Sequence, residues 1–423
     1  MFAPGILVAA TGVGAGDLIT AGLGGASAGM VILWAAGVGA VLKWFLNEGL
    51  ARWQMATGTT LLEGWTQHLG RPIRWVFLIY LVPWAVFTAG ALASACGAAG
   101  TGLLAIGDPA TSKVVWGVAH ALAGLLIVRA GGFGVFERVM SVCTGVMFVT
   151  VIATAVLVGP AWGEVWRGLT LPVTSFHEAR AVVDSQTKWV VGLLGGVGGT
   201  VTLMSYSYWI REQNRGGRVG LRTCRIDLAL AYTLTGLFGM AMVIIGSRME
   251  ASGSGASVAL QLADQIGIAV GPAGRWAFLL GFWSAVFTSL LGVWQSVPYL
   301  FADFVALGRG GADASVPVVE ATPRDLAATR AYRLALVALP LASIPLLFIS
   351  LQRVQLAYAI VGSMFMPLLA LTLLILNNRT RLVGRSFRNG VVTNVVLMAT
   401  LAAFAWMGWQ EAVENVRKLM PAE

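Results

Sequence analysis

Charge is what this chain has least of. Only 11% of its 423 residues are charged, 19 acidic against 28 basic, where a soluble domain carries roughly 25%. So few charges cannot cover a water-facing surface. With 57% hydrophobic residues and a mean hydropathy of +0.79, the chain reads as an integral membrane protein. Its net charge of +9 comes from a shortage of acids rather than an abundance of bases, which argues for basic cytoplasmic loops and against nucleic acid. Cysteine is scarce as well. Cys96, Cys143 and Cys224 lie in or beside apolar runs with no paired spacing, so neither a zinc pattern nor a disulfide framework is expected, and they read as small packing residues. There is no nucleophile–base set, and no strand leads into a glycine loop as a dinucleotide site requires. The chain is therefore not read as an enzyme, and no cofactor is expected. No charged region precedes the first apolar stretch, which continues as a full span, so a cleaved signal peptide is not expected either.

What is there is a succession of apolar runs. About 20 such residues cross the hydrocarbon as a helix, and candidates lie near 3–25, 29–50, 73–96, 112–130, 139–159, 188–209, 227–247, 276–300, 330–350, 354–376 and 390–409. The sequence thus predicts an all-α polytopic membrane protein of eleven transmembrane helices. Residues 97–111 read as a loop or re-entrant segment, and 160–187 and 301–329 as short loops with one amphipathic turn each. The tail Glu411–Glu423 reads as a surface helix. With the N-terminus inside, the cytoplasmic connections hold 18 basic residues, among them Arg52, Arg129, Arg215, Arg324 and Arg388, against 7 on the other side. That asymmetry orients the N-terminus to the cytoplasm, and short loops suit a bacterial inner membrane. A monomer or weak oligomer in the lipid bilayer is expected.

Two runs are unusual. The first contains Thr11-Gly-Val-Gly-Ala-Gly-Asp-Leu-Ile-Thr20, three glycines around Asp17. Glycine weakens a helix and a midspan carboxylate is costly in lipid. Both become intelligible if the helix is interrupted there and its freed backbone, with Asp17, faces a cation or a water-filled cavity. The alternative is a close packing face, because Gly12 and Gly16 have GxxxG spacing. The sixth run has Gly195, Gly196, Gly198 and Gly199 followed by Thr200, Thr202, Ser205 and Ser207, again weak helix with oxygen donors, or again a packing face. One stands first and the other sixth, as in transporters built from two inverted halves. The expected division is a first repeat at 1–159, a second at 188–379, and an additional eleventh helix at 389–410.

Other intramembrane polar groups are few. Glu48 stands one turn before Arg52, a spacing for mutual pairing or for a place on an exit path. His120, the one histidine well inside a run, is either a satisfied packing residue or a proton relay. Thr288 and Ser289 are candidates to line a cavity, whereas Gln295 and Tyr299 read as helix contacts. Trp34, Trp44, Trp75, Trp84, Trp189, Trp209 and Trp406 lie toward span ends and read as interface anchors.

Together these residues resemble the NRAMP family of divalent-metal transporters. The resemblance rests on Ala3-Pro4-Gly5 before the first interrupted segment, on Ala56-Thr57-Gly58 ending the second span, on Gly199-Thr200-Val201, on Phe365-Met-Pro-Leu368 and on Asn377-Asn378-Arg379. It implies a LeuT-like fold of 5+5 inverted helices plus one, with metal held between the unwound first and sixth helices. The family's Asp-Pro-Gly-Asn motif falls ungapped on Gly14-Ala15-Gly16-Asp17, and its Met-Pro-His on Thr202-Leu203-Met204. The third span has no acid where the family has a proton pathway, and Ile360 falls where a coordinating glutamine is usual. Met204 becomes the thioether only if the alignment slips.

The expectation that follows is a secondary transporter of a divalent cation. Asp17 would be the anionic ligand, with carbonyl or hydroxyl oxygen from Gly14, Ala15 and Thr202, and Ser205 near a hydrating water. Glu48, His120, Thr288 and Met204 are candidates for the pathway. Without a thioether such a site suits hard ions of the Mg2+ or Mn2+ class, and proton coupling does not carry over. The alternatives are a small organic solute on the same fold, with or without sodium, and a membrane sensor that no longer transports.

Overall fold

In the computed structural model, the described residues are 3–196, 198–213, 215–248, 256–309 and 325–419. The side chains of some helical positions, among them Ala15, Gly16, Asp17 and Ile360, lie outside them. The first predicted span is two helices, α1 (Ala3–Gly12) and α2 (Ala15–Ala28). A 3-10 turn at Gly29–Ile32 leads into α3 (Leu33–Thr57). Next come the short α4 (Leu61–His68), then α5 (Arg71–Leu103), α6 (Pro109–Ala130) and α7 (Gly132–Leu157). The connection after α7 carries α8 (Trp162–Thr174) and α9 (Phe176–Ser185). The sixth predicted span is α10 (Thr187–Gly196), a 3-10 turn at Val201–Met204 and α11 (Ser205–Glu212). It is followed by α12 (Gly217–Ser247), α13 (Ala256–Val270), α14 (Pro272–Arg309) and α15 (Arg330–Leu347). The tenth span is α16 (Leu351–Ser363) with α17 (Phe365–Asn377), then α18 (Thr380–Val383) and α19 (Val391–Leu419).

Local chemistry explains many boundaries. Gly58 closes α3 in the left-handed conformation at φ 73°, and Thr60 and Glu63 form a reciprocal capping box at the start of α4. Asp108 accepts from the amides of Ala110 and Thr111 ahead of Pro109 at the start of α6. Among the described residues, seven helical stretches are long and apolar enough to cross a membrane. The interrupted pairs and α19 supply the remaining spans.

Several expectations are corrected. The third span does not end at 96: α5 runs to Leu103, because its glycines are contact surfaces rather than breaks. A methyl at Gly97 would lie 2.2 Å from the Lys113 carbonyl oxygen, and one at Gly100 2.5 Å from the Trp116 ring, so α6 packs directly on that stretch. The 160–187 connection is two helices, and α8 lies so close to the first 3-10 turn that a methyl at Gly168 would meet the Met30 oxygen at 2.1 Å. The segment around 256–270 is a helix as well. The tail is no separate surface helix, since α19 continues to Leu419. Trp84 and Trp209 are not interface anchors. Both are fully buried, with indole N–H groups donating to Thr200 and Gln295. Trp75 and Trp406, half exposed, keep the anchor reading.

Three of the basic connections assigned to one side, 51–72, 211–225 and 379–388, meet one another at one end of the bundle. Arg52 donates to the Arg388 carbonyl at 3.0 Å, Arg225 to Glu48 at 2.8 Å, and Arg211 to Glu63 at 3.0 Å. The interrupted helices α1 and α11 sit inside, packed against α3, α12 and α14.

Candidate functional site

The first interruption is at Val13 and Gly14. The Val13 amide still donates to Ala9 O at 2.9 Å, and Gly14 O receives the Leu18 amide at 3.1 Å, so Gly14 is the last residue before α2 and its carbonyl caps that helix. Asp17 stands in the first turn of α2, where helix amides and the positive end of the dipole favour a carboxylate. Its side chain lies outside the described residues. Interrupting α1 frees carbonyls at its end, and α14 answers them. Ser289 donates to Val13 O at 2.9 Å, with Ala10 O at 3.3 Å, and Thr288 donates to Ala10 O at 3.2 Å as well as to carbonyls of its own helix.

The second interruption lies between the end of α10 at Gly196 and the 3-10 turn that starts at Val201. Gly198 and Gly199 have φ of 91° and 86°, which a residue with a Cβ adopts only with strain. The two interruptions touch. A methyl on Gly12 would fall 2.8 Å from the Gly198 carbonyl carbon, and one on Gly199 3.3 Å from Gly12 Cα. Glycine is thus required there by close approach as well as by backbone angle. Thr200 accepts from Trp84 of α5 at 3.1 Å, and Gly362 of α16 lies against the Thr200 side chain. Thr202 and Met204 are buried in the 3-10 turn. Ser205 is fully buried, and its hydroxyl has no hydrogen-bond partner among the described residues.

Lys43 of α3 is the residue that the sequence reading missed. It is 1% exposed, and its ammonium donates to Gly195 O at 2.6 Å and to Gly199 O. It therefore neutralises the carbonyl end of α10, much as an ion would. The signal was available: a lone cation in the middle of an apolar span is as costly in lipid as Asp17. Among the described residues, no three of His, Cys, Asp or Glu converge. Among the described side chains the centre is one of carbonyls and hydroxyls, with charge from Lys43.

The remaining candidates lie apart from it. Glu48 is 1% exposed and accepts from Arg52 at 2.7 and 2.8 Å and from Arg225 at 2.8 Å. It belongs to the basic end of the bundle. His120 has both ring nitrogens engaged, Nδ1 with Trp116 O at 2.7 Å and Nε2 accepting from Trp283 at 2.7 Å. That pattern fits a neutral imidazole held by packing, with no second site for a proton. Two carboxylates of the basic end also escaped the sequence reading. Asp227 is held by Arg215 at 2.9 Å and Tyr206 at 3.1 Å, and α1 starts so close to it that a methyl at Gly5 would lie 2.3 Å from Oδ1. Asp303 accepts from Thr60 and Tyr208 at 2.8 and 2.9 Å.

Residues 5–410 match the sequence pattern of Nramp, natural resistance-associated macrophage protein-like. The chain belongs to this family. A relative described as divalent metal cation transporter MntH, from Verminephrobacter eiseniae, is 23% identical over 257 residues, 58% of this chain and 54% of the relative. The match thus spans about half the length of that protein. Among solved structures, a manganese transporter from Eremococcus coleocola superposes with a TM-score of 0.70 at 17% identity, covering 95% of this chain and 84% of that one. Mhp1, a nucleobase-cation-symport-1 transporter in a closed conformation with bromovinylhydantoin bound, gives 0.54 at 14% identity, covering 99% and 93%. These superpositions establish a LeuT-like fold. Of the segments on which the sequence resemblance placed the family's motifs, Gly14 stands in the first interruption with Ala15–Asp17 opening α2, and Thr202–Met204 lie in the 3-10 turn after the second.

Proposed function

We propose that this Nramp-family chain is a secondary transporter of a divalent metal cation, held where the two interrupted helices meet and moved by alternating access. The observation that carries the reading is the contact of Gly12 with Gly198 and Gly199, which brings both interruptions to one buried place among oxygen donors. Asp17 supplies the negative charge, and its role is the more necessary because Lys43 puts a fixed positive charge nearby. Thr202 supplies a hydroxyl, Gly14 and Ala15 supply carbonyls, and the unpartnered Ser205 hydroxyl suits a water on the ion. A carbonyl that already accepts one hydrogen bond keeps a second lone pair. Hard oxygen donors favour the Mg2+ or Mn2+ class. The family and the described metal transport of the similar proteins support metal as cargo.

Alternating access is supported by α1, a ten-residue half-helix held at its start beside Asp227 and at its end by Ser289. Repeats at 1–159 and 188–379 are supported by interruptions at the first helix of each. The charge asymmetry of the loops supports an inner-membrane chain with a cytoplasmic N-terminus. No proton carrier is assigned, since α5 contains no acid and His120 is engaged on both sides.

Asp17→Asn removes most metal binding, because one formal charge is lost from a low-dielectric centre. Calorimetric titration of purified wild type and variant with magnesium and manganese tests this, and equal affinities would refute the assignment. Lys43 favours one second reading, an organic solute whose carboxylate sits between that ammonium and the start of α2. Uptake of such a solute into metal-free proteoliposomes would establish it in place of the first.

A further inference from the structure

The basic end of the bundle carries more arginine than its carboxylates can pair. On α12 the exposed residues Arg218, Arg222 and Arg225 follow one another at helical spacing and form a stripe along one face. The connection from α17 to α19 adds Arg379, Arg381, Arg385 and Arg388, all exposed. The two segments are distant in the chain but meet in space. Arg218 donates to the Ser386 hydroxyl, and Arg52 of α3 donates to the Arg388 carbonyl at 3.0 Å.

The nearby acids are already engaged. Glu48 is held by Arg52 and Arg225, Asp227 by Arg215, and both carboxylates are buried. Among the described residues, Arg218, Arg222, Arg379, Arg381, Arg385 and Arg388 have no carboxylate partner. An anion from outside the chain relieves the repulsion among these like charges, and a guanidinium fork matches a phosphate in particular. The start of α12 adds to the attraction, since its N-cap is Gly216 with no side chain to take up the first amides.

Apolar side chains begin directly beyond the arginines. Both α12 and α19 start at this end and run away from it. One turn past Arg222 stands Ile226, and Leu230 follows a turn later, both exposed. On α19 Val391, Val392 and Val395 are exposed as well, Val391 at 80%. Trp44 of α3 donates to the Arg225 carbonyl at 3.4 Å, which lays α3 alongside the stripe, and Val41, one turn before Trp44, is exposed in its turn. A soluble anion or a nucleic acid would use the arginines alone. A bilayer lipid uses both levels, its headgroup among the charges and its chains on the apolar side chains below.

We propose that Arg218 and Arg222 of α12, with Arg381 and Arg385 of the α17–α19 connection, bind the headgroup of an anionic phospholipid whose acyl chains lie along Ile226, Val391 and Val395. The lipid joins the start of α12 to the start of α19. Its binding does not depend on what the transporter carries.

The test is native mass spectrometry of the full-length protein in neutral detergent, titrated with dioleoyl phosphatidylglycerol and, in parallel, with dioleoyl phosphatidylcholine. Phosphatidylglycerol is expected to be retained under conditions that strip phosphatidylcholine. Arg218→Gln with Arg222→Gln, and Arg381→Gln with Arg385→Gln, each weaken phosphatidylglycerol binding about thirtyfold, two bases being worth about 1 kcal/mol apiece beside anionic lipid. Arg180→Gln with Arg248→Gln removes two exposed charges at the other end of the bundle and leaves the affinity within about twofold, because such distant charges are screened. Equal retention of the two lipids overturns the proposal, as does wild-type affinity in the variant lacking all four arginines, or an equal loss from the Arg180 and Arg248 pair. Displacement of phosphatidylglycerol by inorganic phosphate or a short oligonucleotide at equal concentration would make a soluble anion the occupant and refute the lipid.

Discussion

Replacing Glu48 by Gln separates a structural role of its ion pair from a moving one. Glu48 and Arg52 are almost completely buried, and Arg225, the second guanidinium on this carboxylate, is 47% exposed. Loss of the charge leaves Arg52 inside the bundle, still donating to the Arg388 carbonyl but without a counterion there. Breaking a buried pair from one side costs about 3–5 kcal/mol, because a charge remains without its counterion. The Arg225 contact is half in solvent and adds at most about 1 kcal/mol. Equilibrium unfolding of Glu48→Gln in mixed micelles is therefore expected to show a loss of about 3–5 kcal/mol. The double variant Glu48→Leu with Arg52→Leu removes both desolvation costs and should recover most of that loss. If the pair only holds the bundle together, the double variant also transports. A single variant within about 1 kcal/mol of wild type, or a double variant as unstable as the single, would show that the buried-pair reasoning is wrong.

Lys43→Met uncovers the Gly195 and Gly199 carbonyls at about 1–3 kcal/mol each, but it also ends the burial of an ammonium, so stability should change by less than about 3 kcal/mol. With the repelling charge gone, calorimetry should find divalent-metal affinity raised about tenfold, and weaker binding would contradict the electrostatic account. Gly12→Ala pushes a methyl to 2.8 Å from Gly198; overpacking of that kind costs about 1–3 kcal/mol, and proteoliposome uptake should fall further than thermal stability does. His68, at the end of α4, has a pKa lowered from 6.5 by burial and then by the Arg379 charge. The folded state thus takes up its proton less readily than the unfolded chain. Stability is full above pH 6.5 and declines as pH falls through the lower folded value. His68→Gln should flatten that part of a melting-temperature profile, and an unchanged slope would locate the titration elsewhere.

Much of the architecture was legible because lipid makes hydropathy a direct guide to spans, and because a carboxylate among glycines marks an interruption. Glycine alone was ambiguous. At Gly12 it marks a break and at Gly97 a helix contact, and what decides is whether another backbone approaches from far along the chain. The tenth-span break after Ser363 gave little local sign. There the Val361 carbonyl is taken by the hydroxyl of Tyr80 at 2.9 Å, a partner that no local pattern reveals. The helices α8, α9 and α13 were missed because they are short and rest on other elements. Lys43 escaped for a different reason: it lies within the second span, so neither loop count took it in, although its surroundings placed it with Asp17.

An ammonium on a side chain cannot diffuse away. A dissolved ion would come and go with the surrounding salt, but the countercharge beneath Gly195 and Gly199 is fixed covalently to α3. The carbonyl end of α10 therefore keeps its partner whatever the salt around the protein.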